Sequence, residues 1–346
     1  MRVRVCAILV ILIIGISGCG KDEEKEDNIF KSNIVEMETD RETLFPSEVN
    51  KNISDELEVN AKVNIPENFS GFLKQYQITQ KNFDEQLVLE ALEINETEME
   101  NPTQGTFFNE KMNLSIGECL AFATKKGMDY RKLAIPEFCT KEKELSFASI
   151  EQATEQVFDF LQSALQISSL EVNGFYTFDS ESEKVREKKI SEEEGYQVDI
   201  KTGKTNSEKI LDGKEGGYYF EFVQIIDDIP LYQFDREKDG IIIPGFRVNC
   251  IYTQEGIEYL EASKPYEIVK AEKDIPILNV NAVIDLLCKK LDNVIITGKL
   301  EVTGMELIYV PTEETVLMPV WKIDIQDGEE EFLVYFDAET GKELLF

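Results

Sequence analysis

The sequence predicts an α+β fold in which helices pack on antiparallel β-meander sheets. Two segments, 150–166 and 280–293, place apolar residues at the spacing of an amphipathic helix. Each is followed by apolar stretches of strand length, separated by turns that contain glycine or aspartate. A strict alternation of apolar and polar residues at 57–65 adds a half-buried strand. Because one helix closes the apolar face of one meander, this order predicts sheets covered by helices.

Residues 1–18 have the organisation of a secretory signal peptide. Two arginines precede an uncharged, mostly aliphatic run at 5–14, which is shorter than the ~20 residues needed to span a bilayer. The sequence Ile-Ser-Gly-Cys at 16–19 resembles the lipobox of bacterial lipoproteins. That resemblance implies cleavage after Gly18 and diacylglyceryl transfer to the Cys19 sulfur. It therefore predicts a protein that is lipid-anchored on the extracytoplasmic face of the cell membrane.

The next two regions are predicted to be a tether and a small first domain. Residues 19–55 are densely charged and hold no hydrophobic period, which is typical of an acidic flexible tether. A small α+β domain is predicted over 56–145. This domain is expected to contain strands at 57–65 and 72–78 and helices at 82–92 and 115–126. No motif in this domain points to chemistry.

A carboxy-terminal α+β region over 146–346 contains two helix-plus-meander units, at about 149–234 and 279–346. The first unit opens on a capping box, in which the side chains of Ser149 and Gln152 satisfy backbone N–H groups. Strand-like segments follow the helix at 172–178, 218–226, 231–234, 246–253, 257–260 and 266–270. Residues 180–215 carry dense charge and few apolar anchors, and we interpret them as a long loop or insertion.

The second unit repeats the order of a helix and then strands. Asn279 is a good N-cap for the helix that ends near 293. Strands are predicted at 300–310, 316–325 and 332–336, with a turn that ends at Gly341.

Charge and histidine content exclude several classes of function. The formal net charge is −32, so nucleic acid and anionic lipid are repelled, and cations or basic protein surfaces are favoured partners. The chain contains no histidine. This excludes Ser-His-Asp and Cys-His catalysis, HExxH zinc sites and imidazole pH switches.

Four cysteines follow Cys19, and none of them forms a CxxC pair. A zinc ribbon or a thioredoxin-type site is therefore not indicated. An extracytoplasmic location allows a disulfide between Cys119 and Cys139. Cys250 and Cys288 fall on apolar-patterned segments, which favours reduced core thiols.

Three motifs resemble ligand sites without meeting their requirements. Residues 235–240 imitate the start of an EF-hand loop, but Phe246 stands where the bidentate glutamate is needed, so a polar hairpin loop is favoured. Gly203-Lys204-Thr205 lacks the leading glycine of a phosphate-binding loop. The acidic runs at 192–194 and 329–331 are typical of solvated surface and could bind calcium only weakly. The sequence therefore predicts no metal site, cofactor site or catalytic residue.

The end of the chain resembles PepSY and PepSY-like domains. The segment 319–325, Pro-Val-Trp-Lys-Ile-Asp-Ile, and the hairpin 332–344, Phe-Leu-Val-Tyr-Phe-Asp-Ala-Glu-Thr-Gly-Lys-Glu-Leu, carry this resemblance. Together with 220–260 they are similar to the extracytoplasmic YycH/YycI-type accessory proteins of two-component systems and to Firmicutes lipoproteins. The resemblance implies two PepSY/cystatin-like units and a non-catalytic role in modulating a protease or a sensor kinase at the membrane. This chain differs from YycH and YycI in having a predicted lipid anchor in place of a transmembrane helix.

These observations predict a lipoprotein that binds and modulates a protein partner at the cell surface and is not an enzyme. A surface protein that binds a small ligand or cation is the alternative. A hydrolase is the third and least favoured hypothesis. Acidic residues are abundant, and pairs of them could act in hydrolysis, but no carboxylate pair has a recognisable context.

Overall fold

The computed structural model describes residues 41–140, 143–167, 169–192, 209–211, 213, 215–238, 240–291, 298–328 and 330–346. Cys19, the predicted signal peptide 1–18 and residues 19–40 of the predicted tether lie outside these ranges. No helix within them is both long and apolar enough to cross a membrane.

The helices, in chain order, are α1 (Arg41–Leu44), α2 (Glu85–Ala91), α3 (Lys125–Tyr130), α4 (Ile150–Leu165), α5 (Ser180–Glu192) and α6 (Val280–Leu291). The strands are β1 (Glu48–Asn52), β2 (Leu57–Asn64), β3 (Phe72–Gln80), β4 (Glu100–Thr103), β5 (Thr106–Phe108), β6 (Met112–Ile116), β7 (Cys119–Thr124), β8 (Leu170–Phe178), β9 (Gly217–Ile226), β10 (Ile229–Pro230), β11 (Arg236–Lys238), β12 (Ile241–Ile243), β13 (Val248–Thr253), β14 (Gly256–Ser263), β15 (Tyr266–Pro276), β16 (Leu300–Pro311), β17 (Val316–Asp327), β18 (Glu330–Asp337) and β19 (Glu343–Leu344). These elements give the predicted α+β fold.

Sheet A is built from both ends of the described chain. Its main path is β1-β2-β16-β17-β18-β19, in which β2 and β16 run parallel and the other neighbours run antiparallel. The first residues of β17 also pair with β3, which in turn pairs with β15.

Sheet B is built from the middle of the chain, in the order β10-β9-β13-β14-β7-β6-β5-β4, with β8 also paired to β9. The chain leaves sheet A through β3 and returns through β15. These two strands are antiparallel partners, so they form a two-stranded ribbon between the sheets.

Each sheet has a helix on one of its faces. In α4 the predicted capping box is confirmed, and Ala153, Val157 and Leu161 are fully buried. The N-cap predicted for α6 is also confirmed, because Ala282 N–H donates to Asn279 Oδ1 at 3.0 Å. Trp321 of β17 is fully buried in the same core as α6, and its Nε1–H donates to the Leu278 carbonyl at 3.0 Å.

The topology corrects the predicted domain boundaries. The proposed first domain, 56–145, contributes β2 and β3 to sheet A but β4–β7 to sheet B, so the chain is not divided near residue 145. The first helix-plus-meander unit also continues beyond 234, because β9, β13 and β14 are successive antiparallel neighbours. Residues 41–55 of the predicted tether are folded, since β1 pairs with β2 along its length.

Two of the secondary-structure predictions are wrong because of long-range pairing or high charge. The segment 115–126 is not a helix, because Leu120 and Phe122 alternate into the core as part of β7, which pairs with β6 and β14. The segment 180–215 begins with α5, which hydrophobic periodicity missed because the helix is mostly charged. Its N-terminus is capped by Asp179, whose Oδ1 accepts from Glu181 N–H at 2.9 Å.

Candidate functional site

The candidate site is created by residues 231–236, which leave sheet B after β10 and cross to sheet A; we call this segment the excursion. After β9 the chain reverses at Asp227 and Asp228, which both have left-handed backbones, with φ of 49° and 60°. The Asp227 carboxylate accepts a hydrogen bond from the Tyr76 hydroxyl, which fixes this turn against β3. Tyr232 N–H then donates to the Tyr309 carbonyl of β16 at 2.8 Å. The segment that follows β10 is therefore attached to sheet A by backbone hydrogen bonding.

The excursion forms one wall of a cleft of about 410 Å³ between the two sheets. The floor is the face of sheet A that points away from Trp321, and the opposite wall includes Asn173 of β8 and Val223 of β9. The floor residues come from β16, β17 and β18, and they are Glu306, Ile308, Lys322, Asp324, Leu333 and Tyr335. Strand register aligns them, since Lys322 lies opposite Glu306 on one side and Tyr335 on the other.

Three aromatic side chains line the cleft, Tyr232, Phe234 and Tyr335, and Phe346 packs against them at the border of a second hollow. Tyr232 lies 5.9 Å from Tyr335, 5.8 Å from Phe234 and 5.0 Å from Phe346, measured between ring centroids. Tyr232 and Tyr335 are 9% and 8% exposed, whereas Phe234 and Phe346 are 52% and 44% exposed. The buried pair holds the exposed rings in place, which gives an apolar contact surface at low conformational cost.

Arg236 secures the other end of the excursion. Its guanidinium lies 4.6 Å from the Phe346 ring centroid and 5.9 Å from that of Tyr232. It also donates a hydrogen bond to the Pro311 carbonyl at the end of β16. Partial burial lowers the pKa of Arg236 from its usual range. Arg236 therefore binds the β11–β12 hairpin to sheet A and borders a second hollow of about 610 Å³.

The cleft floor contains a half-buried group of charges. Lys322 Nζ lies 3.3 Å from Glu306 Oε2 and 3.4 Å from Asp324 Oδ1. Burial lowers the pKa of Lys322, but the two carboxylates outweigh burial and raise it overall. Glu331 on the rim adds a further carboxylate. Among the described residues that line the cleft there are thus one cation and three carboxylates, so the cleft is acidic.

This arrangement is suited to recognition. The pKa of Tyr335 is raised, first by burial and then by Tyr232 and Asp324, so its hydroxyl is neutral at physiological pH. The charged amine of Lys322 is already paired with carboxylates. The cleft therefore offers the exposed side chains of Phe234 and Leu333 beside carboxylates, and such a surface is complementary to one that is both apolar and basic.

The predicted disulfide between Cys119 and Cys139 is not formed, and both residues are free thiols. Cys119 is exposed at the start of β7, whereas Cys139 precedes Thr140, which bridges to Thr177 of β8. Sheet B places β9, β13 and β14 between β8 and β7, and four strand intervals of about 4.8 Å each are well beyond the roughly 6 Å between the Cα atoms of a disulfide. Burial raises the pKa of the Cys139 thiol to about 12. Cys250 is a buried free thiol, as predicted.

The segment that imitates an EF-hand is a hairpin made of β11 and β12. The Asp235 Oδ1 accepts from Gly245 N–H at 3.1 Å, so this carboxylate closes the base of the loop. Asp239 lies outside the described residues. In the described part of the chain, no group of three or more Asp, Glu or Cys side chains is arranged to hold a metal ion.

Sequence reasoning missed the cleft residues. Residues 231–234 were predicted as a strand of the meander, but they cross to sheet A instead. The apolar run at 332–336 is equally compatible with a strand that is buried on both faces, so it did not identify the cleft. Phe332 and Leu333 are 37% and 40% exposed, whereas the three residues that follow them are buried.

No protein-family profile matches the chain, and no curated protein sequence matches it. YycH from Bacillus subtilis matches with a TM-score of 0.41 at 9% identity, over 89% of this chain and 61% of that chain, and a similarity this low carries no further argument. The crystal structure of an uncharacterised protein from Eubacterium rectale ATCC 33656 matches with a TM-score of 0.61 at 18% identity. That match covers 92% of this chain and 99% of the other. The chain therefore shares its fold with the Eubacterium rectale protein along nearly its whole length.

Proposed function

We propose that this protein is a lipid-anchored, extracytoplasmic and non-catalytic protein that binds a protein partner at the membrane and modulates it. The cleft between the sheets is the proposed contact surface. The observation that carries this proposal is the pair of exposed apolar side chains, Phe234 and Leu333, over a buried aromatic base. Exposed aromatic anchors beside a shaped hollow are typical of protein interaction sites. Net charge of −32 adds electrostatic steering toward a basic partner.

The anchor is supported by the sequence at 16–19. Replacement of Cys19 by serine should abolish labelling of the protein by a fatty-acid analogue fed to the cells, since the serine hydroxyl does not replace the thiol in the transfer. Continued labelling of the Cys19→Ser variant would contradict the lipoprotein assignment.

Affinity capture of the full-length protein from membranes tests the binding surface. Phe234→Asp places a charge on the exposed ring position and should lose the partner. Met128→Asp is the matched control, because Met128 is also exposed, at 48%, but lies on α3 at sheet B. The proposal predicts a protein that wild type and Met128→Asp retain and Phe234→Asp loses. Equal recovery of every protein by all three forms would refute it.

A further inference from the structure

The cleft is bordered by an open sheet edge along β18. β17 pairs with β18 from Glu330 to Asp337, whereas β19 covers only Tyr335 and Phe336 on the other side. Among the described residues, therefore, the outer edge of β18 from 330 to 334 has no strand partner.

Hydrogen bonds at the end of β18 show which backbone groups face that edge. Asp337 N–H donates to the Lys342 carbonyl next to β19 at 2.9 Å, and Ala338 N–H donates to the Pro319 carbonyl of β17 at 3.0 Å. Because the bonding direction alternates along a strand, odd-numbered residues point outward. Glu331 and Leu333 thus present N–H and C=O groups to the open edge.

Apart from the charges of Glu330 and Glu331, this edge lacks the features that usually prevent strand addition, since it contains no proline and no bulge. Other strands that are paired on one side only are irregular: β15 has register shifts near Lys270 and Lys273, and β8 has one between Val172 and Gly174. The ladder of β18 with β17 is regular, and Phe332 and Leu333 leave apolar surface exposed on its two faces. A regular, apolar open edge is a template for an added strand.

The charges beside the edge of β18 favour a basic peptide as the added strand. Glu330 and Glu331 lie on the edge strand, and Glu306 and Asp324 lie on the adjoining floor, where Lys322 is already paired with them. A neutral or acidic peptide would leave this excess of carboxylates uncompensated, whereas lysine or arginine side chains would complement it.

We propose that β18 accepts an extended, basic segment of the protein partner as an additional strand. This inference rests on the proposed function and defines how the cleft is used. The backbone of the segment pairs with Glu331 and Leu333. Because alternate side chains of a strand point to opposite faces, its basic side chains lie on the cleft face beside Glu331 and Asp324, and its apolar side chains contact Phe332 on the other face.

Fluorescence anisotropy with synthetic peptides tests this mode of binding. A labelled peptide of alternating valine and lysine should bind the full protein, and its valine–glutamate counterpart should not. Leu333→Pro removes one outward N–H without removing a bond to β17, and proline is tolerated at such edge positions. We expect Leu333→Pro to weaken binding about tenfold, as expected for the loss of an interfacial hydrogen bond and an added clash.

Two controls separate backbone pairing from other causes. Leu333→Ala removes the same side chain but keeps the N–H, so it should weaken binding by only about threefold. A valine–lysine peptide methylated at alternate backbone amides should bind unmodified protein about tenfold more weakly, and this measurement does not depend on how any variant folds. Equal binding by Leu333→Pro and Leu333→Ala, equal binding of both peptide charges, or no binding of the basic peptide would overturn the inference.

Capture from membranes distinguishes failure of this inference from failure of the proposed function. A partner that Phe234→Asp loses but Leu333→Pro retains at the level of Leu333→Ala would leave the function standing and reject strand addition. A partner retained by both Phe234→Asp and Leu333→Pro would reject the function as well.

Discussion

The two helix-plus-meander units of this protein have the same arrangement of a helix and a sheet, but their outer faces differ. In sheet B, α4 precedes β8, β9, β13 and β14, and in sheet A, α6 precedes β16, β17 and β18. The inner faces are equivalent, because both contribute to one continuous hydrophobic core. The difference lies on the outer faces.

The outer face of sheet B is closed by its own chain. Ile251, Tyr259 and Phe178 form a second cluster there, covered by α3 and residues 131–139. The outer face of sheet A is covered only in part, by the excursion through Tyr232, and keeps the acidic cleft open. Since one buried face is enough to stabilise each unit, the second face is free to serve another purpose.

Alkaline pH should unfold both units together, which is the largest effect we expect. Burial, followed by neighbouring carboxylates, raises the pKa of Tyr219 and Tyr259 in sheet B, and burial raises that of Tyr335 in sheet A. Between the sheets, burial raises the pKa of Tyr266 to about 12. Unfolded tyrosine titrates near pH ~10, so stability is complete below that pH and is lost as pH rises toward the folded values.

Ultraviolet absorbance of tyrosinate, followed with circular dichroism, measures this transition. The prediction is a cooperative rise in tyrosinate above about pH 10, coincident with loss of structure. Ionisation of all tyrosines near pH ~10 in a protein that keeps its native spectrum would contradict it.

Alanine substitution of a core residue on the helix-covered face should lower the free energy of unfolding by the same amount in the two sheets. Trp321 and Phe222 are both fully buried in the shared core. Trp321→Ala and Phe222→Ala should each lower the free energy of unfolding by about 3–5 kcal/mol, measured by urea denaturation. Trp321→Phe is the control, which keeps most of the ring volume but loses the hydrogen bond to Leu278 and should cost less. A loss from only one of the two alanine variants would show that the units are not equivalent.

Truncation of the outer faces should separate the two sheets. Ile251→Ala removes a fully buried side chain from the closed face of sheet B and should cost about 2–5 kcal/mol. Leu333→Ala removes a side chain that is 40% exposed at the cleft and should change the free energy of unfolding by about 0.5 kcal/mol or less. Similar losses from both variants, again in urea, would mean that the cleft face serves as core.

Removal of a charge should have the smallest effect and should still differ between the sheets. Lys322→Met leaves Glu306 and Asp324 half-buried without their cation and should cost about 1–2 kcal/mol, less at high salt. Lys184→Met on α5 is the matched control, because its pair with Glu181 is 66% and 61% exposed and should contribute close to nothing. Indistinguishable denaturation midpoints for the two variants would argue that solvent screens the cleft floor.

Local sequence patterns predicted the elements whose stability is local. The capping box at Ser149 and the N-cap at Asn279 begin α4 and α6 as expected, since their hydrogen bonds join residues three positions apart. The turn at 337–341 is likewise local, because Asp337 Oδ1 accepts from Thr340 N–H at 2.8 Å and Gly341 takes a φ of 71°. Predictions failed where pairing partners are distant. The segment with helix-forming residues at 119–124 is a strand because β14, more than a hundred residues away, binds its edge.

The sequence alone determined the fold class, the two helix-plus-meander units, the acidic character and the prediction of a lipid anchor at Cys19. Periodicity and capping are properties of neighbouring residues, and charge is a property of composition. Only the tertiary structure decided that the two ends of the chain share sheet A, that Cys119 and Cys139 stay apart, and that the cleft lies over Lys322. Such features depend on which strands pair across long separations, and that choice follows from burial of the whole core.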